Sequence, residues 1–97
     1  MSTIQRYELT LAEEQTLLLP QGARLLSVGD YNGTLALWAL VNIEKPKREY
    51  TMRILGTGQS APEGLFTYSN AMDSYLWEFL GTVRTSSLGA RHVFYRY

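Results

Sequence analysis

The chain of 97 residues contains no cysteine. That removes disulfides, thiolate catalysis and every cysteine-based zinc or iron site, and it is compatible with a reducing compartment. There is also a single histidine, His92, so a hydrolytic triad or an imidazole-based metal centre would have to be built on that one ring. Neither has the rest of its parts: Asp30, Asp73 and Glu78 stand at no metal-ligand spacing around His92, and no G-x-S-x-G elbow occurs. Nine basic and nine acidic residues cancel, leaving no global field to hold a polyanion or an anionic membrane. No window approaches the roughly 18 apolar residues of a spanning helix, and the opening MSTIQRYELT lacks the apolar region of a signal peptide. The expectation is one soluble intracellular domain over residues 1–97, with no cofactor, no metal, no membrane or nucleic-acid partner and no catalytic role.

What the chain does have is aromatic and β-branched residues in period-two order. The region from Leu25 to Gly58 reads as a meander of three successive strands joined by two short turns. Asn32-Gly33 between two apolar runs is a type I′ hairpin signal, because both residues tolerate positive φ. It pairs Leu26 to Tyr31 with Thr34 to Val41. Leu35, Leu37, Ala39 and Val41 fall on one face of the second strand and Ala36, Trp38 and Leu40 on the other, so that strand is apolar on both faces. Such a strand is central and covered twice, by a second sheet, a helix or another subunit, and a homo-oligomer is therefore expected. Glu44-Lys45-Pro46-Lys47 ends it, and a third strand from Glu49 alternates Tyr50, Met52 and Ile54 with Thr51 and Arg53.

Before that region, starting at Thr3, Tyr7, Leu9 and Leu11 alternate with Arg6, Glu8 and Thr10 as an opening strand, and Gln15 to Leu19 forms a short second one ahead of Pro20-Gln21-Gly22. A helix over Leu9 to Leu19 is the competing reading, disfavoured because Leu17, Leu18 and Leu19 are contiguous. After it, Gln59 to Ser74 is a long loop interrupted by Pro62 and Gly64, which Leu65, Phe66 and Tyr68 could pin to the body. A strand from Tyr75 to Arg84, kinked at Gly81, and an aromatic one from His92 to Tyr97 close the chain as a hairpin around Ser86-Ser87-Leu88-Gly89. The total is about seven strands with little helix: an all-β fold, a small antiparallel sandwich or partly open barrel.

The candidate binding residues lie where the third strand enters the long loop. Gly56-Thr57-Gly58 leaves bare amides that could approach an anion, although it has neither a dinucleotide fingerprint nor a Walker lysine. Arg53 precedes it, with Phe66 and Tyr68 on the loop. Arg84 and Arg91 complete an anion-reading cluster with Arg53 if the fold brings the three together. Glu13-Glu14, in a polar turn, reads as solvated charge.

The run LPQGARLLSVGDYNGTLALWALVN, followed by REYTMRILGTGQ, FLGTV and HVFYRY, resembles a family of short uncharacterised proteins of bacteriophages and prophages. Its most distinctive segments are Leu37 to Val41 and Gly56 to Gly58, and the similarity extends from about Tyr7 to Tyr97. The loop from Gln59 to Ser74 is long for that family, and Asp30-Tyr31 replaces a more β-prone pair. The resemblance implies a phage accessory protein acting in the host cytoplasm, and no reaction. The leading functional expectation is a protein that binds and inhibits a host protein, with antiviral defence as the class of target. The alternatives are a small-molecule binder or sponge for a signalling nucleotide, and a structural virion component.

Overall fold

In the computed structural model, which describes residues 1–62, 64–71, 74–85 and 89–96, Asn32 and Gly33 turn the chain with φ angles of 52° and 81°. This is the left-handed pair that the Asn-Gly signal requires. The turn joins β3 (Arg24–Tyr31) to β4 (Thr34–Asn42), and the N–H of Gly33 donates to the Asp30 carboxylate at 2.9 Å. β1 (Ser2–Glu8) pairs antiparallel with the other side of β4, giving a sheet of order β1-β4-β3. The second sheet has the order β2-β5-β9-β8, built from β2 (Glu14–Pro20), β5 (Lys47–Gly56), β8 (Glu78–Thr85) and β9 (Gly89–Arg96). A two-stranded ribbon of β6 (Tyr68–Ser69) and β7 (Ser74–Tyr75) stands apart within the long loop. The all-β sandwich expected from the sequence is formed, open rather than closed into a barrel, and no helix occurs among the described residues.

One expectation is corrected. The three strands from Leu25 to Gly58 are not a meander, because β4 and β5 belong to different sheets. Both hydrogen-bonding edges of β4 are occupied, by β1 and by β3, so β5 has no edge of β4 to join. The Glu44-Lys45-Pro46 segment is a corner between layers, held by Lys45 N–H to the Asn42 carbonyl and Gln21 N–H to the Pro46 carbonyl. The chain also changes layer between β1 and β2. There the Gln15 side chain clasps the bend by donating to the carbonyls of Thr10 and Ala12 and accepting from the Thr10 amide. The region from Leu9 to Leu19 is thus a corner and a strand, not a helix.

Alternation decides what the core contains. Leu35 and Leu37 from β4, Tyr50, Met52 and Ile54 from β5, and Val93 from β9 meet between the layers, each almost fully buried. The layers approach closely where β8 passes β3: a Cβ on Gly81 would lie 3.2 Å from a methyl of Val28. The kink expected at Gly81 is a bulge, with register lost between Phe79 and Gly81. The hairpin residues Ser86, Ser87 and Leu88 and the terminal Tyr97 lie outside the described residues, but Thr85 opposite Gly89 fits the expected hairpin.

Candidate functional site

The long loop does not hang free, because it folds back over the outer face of the second sheet and builds a separate small core there. Leu65 and Trp77 bury themselves against Leu55 of β5, with Leu76 and Phe94 packed alongside. The Leu76 amide donates to the Thr67 carbonyl at 2.9 Å, tying the two halves of the loop together. Leu55 explains why this face needs cover: it follows Ile54 directly and so must point away from the main core.

On this covered face Arg53 of β5 is opposite Phe94 of β9, which is opposite Phe79 of β8. The three side chains form one row across the sheet. Phe94 packs at 5.2 Å, ring centre to ring centre, against Phe79, and edge-on at 6.1 Å against Phe66 from the loop. Two guanidinium groups lie over the Trp77 ring, Arg53 at 5.4 Å and Arg96 at 4.8 Å from its centre, both within cation–π range. The resulting shelf is apolar in its centre and cationic along one side. Phe66 is 66% exposed and Phe79 57% exposed, while Trp77 and Phe94 form the floor of a shallow cleft of about 430 Å³ shared with Glu78.

The sequence-derived candidates divide. Arg53 and Phe66 come together on this shelf, and Tyr68 stands on the β6 ribbon of the same loop, partly exposed. Gly56, Thr57 and Gly58 form the tight turn that ends β5, with Gly58 at a φ of 87°. The Gly56 amide and the Thr57 hydroxyl are already engaged. The Gly56 amide donates to the Gln59 side-chain oxygen at 3.0 Å, Gln59 in turn donates to Glu13, and the Thr57 hydroxyl shares a 2.8 Å hydrogen bond with Nε2 of His92. His92 is half-buried on β9, and its Nδ1 is bonded to the Thr82 hydroxyl at 2.8 Å. Among the described residues no group of three or more His, Asp or Glu side chains could hold a metal ion.

Strand parity and pairing decide two readings about charge that the sequence left to the fold. Arg53, Arg84 and Arg91 do not converge: Arg91 is opposite Gly56 and Val83, on the core-side parity of β9, whereas Arg53 is opposite Phe94 on the outer one. Arg84 is on the outer side too, but opposite Ala90, four residues along β9 from Phe94. The Glu13-Glu14 pair is not simply solvated, since Glu13 at 3.6 Å and Glu14 at 3.5 Å flank Arg53. Strand pairing creates this cluster, with Glu14 directly across from Arg53.

Trp77, Phe79, Phe94 and Arg96 were not among the sequence candidates. Their signal is visible once β8 and β9 are paired. Phe94 and Arg96 share one parity, and Phe79 falls opposite Phe94, so an aromatic row follows from register alone.

Comparison with curated proteins and with solved structures gives no match. A family model described as a domain of unknown function matches residues 1–97. The chain therefore belongs to the DUF7352 family, the domain of unknown function that spans its whole length.

Proposed function

We propose that this chain is a non-enzymatic bacteriophage protein that binds a host protein in the cytoplasm and inhibits it by occupying its surface, a component of antiviral defence being the class of target. The observation that carries the reading is the aromatic shelf, where Phe66 and Phe79 stand exposed on a floor of Phe94 and Trp77 with Arg53 and Arg96 beside them. Aromatic residues and arginine dominate the energetics of protein interfaces. A shelf seated on a rigid sheet offers them with little ordering to be lost on binding.

A protein partner is favoured over a phosphorylated ligand by the state of the anion-binding groups. The Gly56 amide and Thr57 hydroxyl are bonded internally, and Glu13 and Glu14 offset the charge of Arg53. A phosphate would have to displace those bonds and approach two carboxylates. The test is affinity capture from host lysate with the wild type, with Phe66→Ala/Tyr68→Ala and with Phe79→Ala, each checked for folding by circular dichroism. A hot-spot truncation costs about 2 kcal/mol or more, roughly thirtyfold in affinity, so the partner recovered by the wild type should be lost from the variants. Equal recovery by all three proteins removes the shelf as the site. If instead a micromolar nucleotide raises the unfolding temperature, as a ligand at 100 times its Kd does by adding about 2.7 kcal/mol, the small-ligand reading replaces this one.

A further inference from the structure

Among the described residues no loop folds over the opposite outer face, that of the β1-β4-β3 sheet. This face carries Ile4 from β1, Leu26 from the β3 bulge, and Leu40 and Trp38 from β4, the first three substantially exposed. Trp38 lies against Gly29, where an added Cβ would meet its ring at 3.2 Å. Arg6 reaches across Ala36 to stack on Tyr31 at 3.7 Å. We propose that this face is closed by the same face of a second copy of the chain.

Three observations select a second copy. The first is area: the surface of 6258 Å² exceeds by several hundred Å² the roughly 5,600 Å² expected of a compact monomer of this mass, and a standard interface takes about 800 Å² from each partner. The second is shape. The molecule measures 40 × 39 × 17 Å, a disc one sandwich thick, and its radius of gyration of 13.7 Å is above the roughly 12.5 Å of a compact chain of this length. Two discs stacked at the usual sheet spacing of about 10 Å give a particle about as deep as it is wide.

The third is charge. Arg24 is at one corner of the face, beside Leu40, and Glu8 is at the diagonally opposite corner, beside Ala36. A two-fold axis lying in the interface and passing near Trp38 brings Arg24 of each copy over Glu8 of the other, with the two sets of strands crossing at a steep angle. Neither residue has an ion-pair partner within the chain among the described residues. The packing leaves both aromatic shelves outward, on opposite sides of the dimer.

Sedimentation equilibrium across a concentration series reads the outcome directly. The wild type should reach twice its 11.0 kDa mass by tens of micromolar. Leu40→Glu and Ile4→Glu should each weaken association by about thirtyfold or more. Arg24→Glu and Glu8→Arg, each placing like charges in apposition, should weaken it about tenfold, and the double variant should return close to wild type. Circular dichroism reports whether each variant folds; if Leu40→Glu does not, Ile4→Glu on the edge strand decides. A wild type that remains at 11.0 kDa overturns the proposal, as does a dimer indifferent to every folded variant. Failure of the double charge swap to restore association overturns the two-fold geometry.

Discussion

Replacing Leu65 by Ala tests whether the loop core and the sandwich core open separately. Leu65 is 2% exposed, and its truncation removes about three buried carbons, worth about 2.4 kcal/mol by transfer. The small cluster around it, Leu55, Trp77, Leu76 and Phe94, lies at the surface and can settle into part of the space. The cavity term is therefore small, and the loss should be about 2–3 kcal/mol, the lower part of the range for Leu→Ala. Hydrogen exchange at the Leu76 amide, which bonds across the loop to Thr67, reads it. Protection there should fall about thirty- to 150-fold. The reciprocal substitution is Leu37→Ala, at a side chain with no exposure between the two sheets. It should cost about 3–4 kcal/mol and appear in the exchange of β4 amides. Loop opening does not require the sheets to part, so Leu37→Ala should leave Leu76 exchange unchanged. If Leu76 protection falls with Leu37→Ala as far as that of β4 does, loop and sandwich are one cooperative unit and the reasoning fails.

Where β8 crosses β3, Gly81→Ala should destabilise the fold by about 1 kcal/mol, because its Cβ would lie 3.2 Å from Val28. Val28→Ala in the same chain should recover much of that loss, and a denaturant double-mutant cycle with no coupling refutes the close-packing account. Burial pushes the Tyr7 phenol above its ordinary value of 10.0. The unfolded chain then loses this proton first as pH rises, so the contribution is present below about pH 10 and is lost above it. Tyr7→Phe should accordingly show a shallower fall of stability in alkaline solution than the wild type. An identical slope in both proteins counts against the burial argument.

Most of the strands were legible because their information is local. Asn32-Gly33 specifies a turn by φ alone, and Tyr50, Met52 and Ile54 declare an inner face by alternation. Which strands pair is not local. Turn length suggested that β4 and β5 were neighbours, but β1 and β3 take both edges of β4, and nothing within the third strand announces that competition. The site was legible in the same proportion. Phe66 was identifiable as an aromatic in a long loop, and Arg53 as a charge on a strand next to glycines. Their companions Trp77, Phe79 and Phe94 depend on the pairing of β8 with β9 and of β9 with β5. Whether the three arginines cluster was not legible, and parity decides against it, since Arg91 and Phe94 are an odd number of residues apart on one strand.

The two outer faces of the sandwich carry apolar residues beyond those that the core between the layers uses. A two-layer sandwich needs one apolar face per sheet, yet Leu55 on the second sheet and Ile4, Trp38 and Leu40 on the first stand on the far sides. For Leu55 the chain supplies its own cover in Leu65 and Trp77, at the cost of ordering a long loop. That loop is what carries Phe66 to the edge of the shelf, so covering the second sheet also creates the surface proposed for recognition. Among the described residues the first sheet has no comparable segment, since all three connections at its layer changes, residues 9–13, 21–23 and 43–46, are short corners rather than flaps. A self-complementary face needs no extra chain length, because each copy supplies the other's cover. In the proposed dimer the faces divide the labour: one sheet would hold the copies together and the other would present the shelf, so a substitution at Leu40 should change assembly without altering the shelf's own contacts, and one at Phe66 should do the reverse.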